Sequence, residues 1–292
     1  MGQWFAKLWV GLIKSMAHTP IKRRAFYARI IAKILWWVVP KRRHVTLTNL
    51  RLCFPDWSEE RRLQVAQETY FYLARAALDH GVLWAGSKED VLKMIRFEGL
   101  DTVLVPENRP LIIVCPHFAG LDAAAIGLSI FDRACSLYQK QSNPVWDKAA
   151  FEGRRRFNDI EMIAKSEESD LRPVIKAIKS GLPFFYLPDM DHGKANSIFI
   201  PFFGVQAATL PMASRLARLT RSNVCMCIAE MTEEGYTVHV SNVWDDFPTR
   251  DYVEDTKRVT QCLESWIERL PNQYMWTHRR FKTRPDGEPG VY

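Results

Sequence analysis

The sequence predicts an α/β protein, with a central, mostly parallel sheet flanked by helices and an N-terminal helical region that associates with a membrane. Three observations lead there. From about residue 96 onward, short apolar runs alternate with segments of helical period, as expected of strands covered by helices on both faces. Before residue 96 the apolar spacing is helical throughout. The first forty residues also concentrate Trp and aliphatic residues between Lys/Arg clusters, a composition suited to a bilayer interface. The corresponding division is 1–44 membrane-associating helices, 45–95 a helical subdomain and 96–292 the α/β core.

In chain order, Trp4, Phe5, Leu8, Trp9, Leu12, Ile13 and Met16 recur at helical spacing. A basic triplet, Lys22-Arg23-Arg24, precedes a second apolar run from Phe26 to Val38, which Arg29 and Lys33 interrupt and Pro40-Lys41-Arg42-Arg43 closes. That run is shorter than the ~20 apolar residues of a clean span. It predicts a helix lying on an anionic leaflet, with a short tilted span as the alternative. Two core helices would show the same spacing, but a core has little use for four Trp flanked by basic clusters. Further on, Ser58 is the expected N-cap of a helix whose first turn holds Glu59 and Glu60.

The core elements follow. Leu111–Cys115 is a continuous apolar run, as in a strand buried on both faces. A helix over 123–131, a strand over 134–138, a helix over 145–157 and an extended segment over 160–163 come next. Residues 169–179 are expected to be helical up to Gly181, a C-cap, and 183–187 a strand. Thr209 is the expected cap of a helix over 210–219. Residues 223–228 and 236–240 pair as a hairpin across Thr232–Gly235, and 251–269 close as a long helix.

Composition sets the function classes. With 292 residues, 47% hydrophobic and 25% charged, the chain is no disordered segment. A net charge of +7 favours anionic partners: nucleic acid, anionic lipid or an acidic carrier protein. The basic residues are spread over several blocks rather than one stripe, which argues against nucleic acid. Six cysteines show neither disulfide nor zinc spacing, and Cys225 and Cys227 sit in an apolar run, so a reducing, cytosolic interior is expected. No apolar run at the N-terminus is followed by a small-residue cleavage site, so no signal peptide is expected.

The candidate site lies where the first core strand ends, the place where ligands gather in such folds. In His117-Phe118-Ala119-Gly120-Leu121-Asp122, an acid in the first helical turn can fold back onto one imidazole nitrogen and leave the other to accept a proton. Backbone N–H groups of the helix start are candidates for stabilising an oxyanion. A helix-capping His and an N-terminal Asp would give the same spacing. Arg154-Arg155-Arg156 and His278-Arg279-Arg280 each read as a solvated face or as anion contacts. Asp189-x-Asp191 invites a metal-dependent glycosyltransferase reading, but two carboxylates without a phosphate-cradling Gly loop do not specify a metal. Asp189 is instead expected to orient His117 or an arginine. His18, His44, His80 and His239 show no partners in sequence.

The string Cys115-Pro116-His117-Phe118-Ala119-Gly120-Leu121-Asp122 resembles the catalytic block of glycerolipid-type acyltransferases. Three further blocks resemble the late acyltransferases of lipid A biosynthesis: Gly153-Arg154-Arg155-Arg156, the segments 187–193 with 197–204, and the tail Gln273–Pro285. Together they span roughly residues 97 to 288, and the apolar N-terminus is similar too. Many members carry Glu where this chain has Asp122, a shorter acid with the same charge. The resemblance implies a cofactor-free acyl transfer from acyl carrier protein to a hydroxyl of a lipid A precursor. It places the enzyme at the cytoplasmic face of a Gram-negative inner membrane, with His117 as general base assisted by Asp122. Arg154, Arg156, Asp189, Arg279 and Arg280 are then the expected substrate-binding residues, with no metal.

Overall fold

The computed structural model describes residues 2–164 and 170–292. The chain opens with α1 (Gln3–Ser15), α2 (Ile21–Val38), α3 (Pro40–Cys53), the long α4 (Glu59–Ala85) and α5 (Lys88–Met94). There follow β1 (Ile95–Glu98), the single turn α6 (Leu100–Val103), β2 (Leu111–Val114), α7 (Leu121–Leu128), β3 (Cys135–Tyr138) and α8 (Pro144–Arg155). Then come β4 (Glu161–Ala164), α9 (Arg172–Lys179), β5 (Phe184–Tyr186), and the pair β6 (Ile198–Phe202) and β7 (Val205–Thr209). The chain ends with α10 (Met212–Thr220), β8 (Asn223–Met231), β9 (Tyr236–Val240) and α11 (Tyr252–Arg269).

Among the described residues, seven strands form one sheet in the order β1-β9-β8-β2-β5-β3-β4. Every pairing in it is parallel except β8 with β9. The central strand β2 is buried along its whole length, which is why its sequence is continuously apolar rather than alternating. Alternation sorts its side chains by face. Ile112 and Val114 join Phe184, Tyr186, Val224 and Met226 in one core, beneath α9, α10 and α11. Leu111 and Ile113 join Phe185, Cys225 and Cys227 in the other, beneath α7. Each such Leu, Ile or Phe contributes about 1.5–3 kcal/mol by leaving water.

The N-terminal helices share these cores. Ala28, Ala32 and Trp36 of α2 pack with Tyr70, Ala74 and Leu78 of α4. A buried polar cluster ties them to the sheet. Asp79 on α4 meets Arg24 on α2 at 2.6 Å and Arg75 at 3.4 Å, and accepts from the Tyr236 hydroxyl on β9 at 2.8 Å. Gly81 lets α1 end against α4, since a Cβ there would lie 2.4 Å from the Ile13 carbonyl oxygen. The outward faces are apolar. Trp4, Phe5, Leu8 and Leu12 on α1, and Phe26, Tyr27, Ile30, Ile34, Trp37 and Val38 on α2, are exposed. Among the described residues no helix is long and apolar enough to cross a membrane.

Several local expectations are met with small shifts. Ser58 caps α4 by accepting from the Arg61 N–H, and the β8–β9 hairpin forms. The helix expected over 169–179 begins at Arg172, and its first expected residue, Ser169, lies outside the described residues. Thr209 is not a cap. It ends β7, and α10 starts after Pro211 with no side-chain cap. The β6–β7 hairpin and the edge strand β1 were not anticipated. β1 is short and alternates apolar with charged residues, and Pro201 interrupts the apolar run of β6.

Candidate active site

Two parallel strands build the site. β2 and β5 pair with Val114 opposite Tyr186, and the ladder continues one step as the Cys115 N–H donates to the Tyr186 carbonyl at 2.7 Å. Both strands then run into the same sequence of events: Cys115-Pro116-His117 and Leu187-Pro188-Asp189. His117 and Asp189 are therefore carried past the carboxyl edge of the sheet at equal height, 72 residues apart like the paired strands themselves. The Asp189 carboxylate accepts from the His117 backbone N–H at 3.0 Å and meets ring Nδ1 at 2.8 Å. This fixes the ring's orientation and turns Nε2 away from the carboxylate. Burial alone would raise the Asp189 pKa, but the His117 charge, bonds from its ring and backbone, and the Tyr274 hydroxyl pull it down to about 2.

The tail clamps this corner. Phe118 and Tyr274 form an antiparallel bridge, with the Ala119 N–H donating to the Gln273 carbonyl at 2.8 Å and the Met275 N–H to the His117 carbonyl at 3.0 Å. Asn49 of α3 holds the same tail by donating to the Trp276 and His278 carbonyls at 2.8 and 2.7 Å. The backbone N–H groups of His117, Phe118, Ala119 and Leu121 are all bonded within the protein. That narrows the expected oxyanion donors. Nearby, His278 accepts from the Asp191 N–H at 3.1 Å. Burial, aided by Arg280 and His117 and opposed by Asp189, lowers its pKa to about 4.

Asp122, expected beside His117, turns elsewhere. Its carboxylate is gripped by Arg154, whose Nε and Nη2 each donate at 3.0 Å, and it meets His80 Nε2 at 2.8 Å. Burial opposes ionisation, but Arg154 and then His80 more than offset it and hold the pKa well below the usual carboxylate range. The reason is geometric. Asp122 sits in the first turn of α7, which faces α8 and the end of α4, whereas His117 belongs to the preceding loop that faces β5. No pattern in the sequence links residue 80 to residue 122, so His80 was missed.

The Gly153–Arg156 block now has four separate explanations. Gly153 lets α8 lie on Trp84, since a Cβ there would be 2.2 Å from the Trp84 Cδ1. Arg154 holds Asp122. Arg155 points outward, over the Phe151 ring and paired with Asp159. Arg156 donates to the Val82, Leu83 and Gly86 carbonyls, closing the C-terminus of α4. Arg156 is thus committed to the fold rather than free for substrate. Arg280, also an expected substrate contact, is buried, donates to the Ala208 carbonyl at 2.8 Å and to Thr209 Oγ1 at 2.7 Å, and lines a small cavity together with Asp189. Arg279 is exposed, over the Tyr292 ring. Asp191 does not join Asp189. Its oxygens accept from Thr283 at 2.7 Å and from the Gly193 N–H at 2.9 Å, shaping a turn.

The described arrangement suits proton abstraction by a fixed imidazole at the end of a sheet, and relatives specify the setting. Residues 1–283 match the family model "Bacterial lipid A biosynthesis acyltransferase". The lipid A biosynthesis palmitoleoyltransferase of Escherichia coli K12 is 29% identical, over 99% of this chain and 94% of its own. A lipid A biosynthesis acyltransferase of Haemophilus influenzae is 31% identical over 86% and 81%. Among solved structures, the 1-acyl-sn-glycerophosphate acyltransferase of Thermotoga maritima matches 85% of this chain and 98% of its own. Its TM-score of 0.42 and 12% identity are too low to bear on the conclusion. On the match of the family model along nearly its whole length, this chain belongs to the bacterial lipid A biosynthesis acyltransferases.

Proposed function

We propose that this enzyme transfers a fatty acyl chain from acyl carrier protein to a hydroxyl of a lipid A precursor, at the cytoplasmic face of the inner membrane. The observation that carries the mechanism is the His117–Asp189 pair, 2.8 Å apart at the end of two paired strands. Asp189 holds the Nδ1–H tautomer, so His117 Nε2 accepts the proton of the acceptor hydroxyl as its oxygen attacks the thioester carbonyl. The imidazolium that forms is stabilised by Asp189. It returns the proton to the departing thiolate when the carbon–sulfur bond breaks, and the ester remains on the lipid. No cofactor enters this balance.

Arg154 completes the site from the other side. Its Nε and Nη2 grip Asp122, while the side chain keeps about a third of its surface exposed, leaving Nη1 for a phosphate or the developing oxyanion. The exposed apolar faces of α1 and α2, with Lys7, Lys14, Lys22 and Lys33 on the same helices, fit a helix pair lying in an anionic interface. The exposed Arg279 and the half-buried Arg155 suit the docking of an acidic carrier.

The test is turnover by purified protein, given acyl-carrier-protein thioesters of graded length and a lipid A precursor, with the product weighed by mass spectrometry. His117→Ala should lose roughly 10²–10⁴-fold in turnover, the usual contribution of a placed base. A folded His117→Ala enzyme at normal turnover would overturn the mechanism. A wild-type enzyme inert on every thioester would overturn the donor.

A further inference from the structure

We infer that His80 is a positioning residue of this active site, acting through Asp122 to hold Arg154 toward the substrate. The inference rests on the acyl-transfer mechanism proposed above. His80 lies on α4, within the N-terminal helices rather than the α/β core, yet its ring reaches the first turn of α7. Its Nδ1 meets the Ala76 carbonyl at 2.7 Å and its Nε2 meets Asp122 Oδ2 at 2.8 Å. A carbonyl cannot donate, and a carboxylate kept ionised by a two-pronged arginine cannot donate either. Both contacts are therefore satisfied together only when each ring nitrogen carries a hydrogen.

The ring is braced as well as bonded. Trp84, one turn further along α4, packs edge-on against it at 4.5 Å between centroids. Gly153 lies against that same Trp84, and the next residue is Arg154. His80, Trp84, Gly153, Arg154 and Asp122 thus form one closed assembly that joins α4, α7 and α8. Within it, Asp122 receives hydrogen bonds from two sides. Removing His80 leaves the carboxylate free to follow Arg154, and the guanidinium loses its fixed aim. The side chains of the three polar members are between 17 and 32% exposed, so the assembly reaches the protein surface.

The test measures turnover and KM for wild-type, His80→Gln and His80→Ala enzymes. His80→Ala should lower kcat roughly 10- to 100-fold, the worth of one hydrogen bond to a charged group, with a smaller change in donor KM. His80→Gln keeps one N–H toward Asp122 and should recover part of the loss. In an Arg154→Ala background the further cost of His80→Ala should shrink to less than about threefold, because residues acting as one unit are not additive. Fully additive losses, or a folded His80→Ala enzyme with wild-type kcat, would overturn the inference. A second measurement is independent of acyl transfer and stands even if the proposed substrates prove wrong: modification of Arg154 by an arginine-selective dicarbonyl, mapped by mass spectrometry. Loosening Asp122 should speed that modification several-fold in His80→Ala and less in His80→Gln, and an unchanged rate in His80→Ala would overturn the inference.

Discussion

Replacing Asp189 by Asn probes the site where it is most constrained. The carboxylate is 1% exposed and, besides the Tyr274 hydroxyl, faces two N–H groups, the His117 backbone N–H at 3.0 Å and ring Nδ1 at 2.8 Å. Two oxygens meet two N–H groups. Asn keeps the shape but offers one oxygen and one NH₂. If the oxygen stays on the backbone N–H, the NH₂ faces Nδ1, which must then accept. The ring hydrogen moves to Nε2, the atom that has to receive the substrate proton. If the oxygen turns to the ring instead, the NH₂ meets the backbone N–H in a buried donor–donor contact that costs about 1–3 kcal/mol. The first outcome blocks the base; the second keeps the tautomer, but at that cost and without the carboxylate charge that stabilises the imidazolium, so kcat should fall by roughly 10²–10⁴-fold, with little change in KM for the thioester.

The pH behaviour of Asp189 follows from the sign of the shift. The folded Asp189 pKa of about 2 lies below the ordinary value of 3.8. Its stabilising bond is therefore complete above about pH 4 and is lost only as pH falls through about 2. Asp189 itself therefore stays ionised throughout the neutral pH–rate profile. The assay is steady-state acyl transfer on a variant whose circular dichroism and thermal transition match the wild type. A folded Asp189→Asn enzyme within threefold of wild-type kcat would refute the reasoning.

Three further outcomes follow from the packing. Asp79→Asn leaves Arg24 and Arg75 buried around a neutral amide, and should cost about 3–5 kcal/mol in urea unfolding; a loss under about 1 kcal/mol would show that the cluster is not a structural tie. Arg156→Lys exchanges a three-carbonyl clamp on α4 for a single ammonium, so stability should drop by about 1–2 kcal/mol while kcat of the folded enzyme stays within about threefold; a selective loss of kcat would restore a substrate role. If the exposed face of α2 lies in the interface as proposed, Ile30→Asp there removes about 1.5–3 kcal/mol of apolar contact and adds a repelled charge, so binding to anionic vesicles in a sedimentation assay should weaken at least tenfold; unchanged binding would place the anchor elsewhere.

Much of the fold was legible because the signals that define it are local. The continuous run 111–115, the cap at Ser58 and the hairpin at Thr232–Gly235 each depend on near neighbours, and each was found within a residue or two. The family too was legible, because its blocks are short strings in a fixed order. Of the elements that were missed, β1 is stabilised by β9, far along the chain, whereas β6 and β7 pair with each other across a short turn and were obscured by Pro201 inside β6. The arginine blocks show the same division. Their charge is plain in the sequence, but whether a guanidinium faces solvent, a carboxylate or a helix end depends on what packs beside it.

The sequence by itself determined that His117 stands at the end of a buried strand, that an acid follows five residues later, and that a second acid occupies a similar corner at Asp189. It could not decide which acid reaches the imidazole, because contact across a sheet is set by strand order and register. Only the folded chain puts β5 directly beside β2, with Val114 level with Tyr186, and so brings Asp189 to His117. The acid nearer in sequence is carried round the first turn of α7 to face Arg154 and His80 instead. Five residues of chain set an upper limit on distance but not a direction, and direction comes from the elements on which each side chain is mounted.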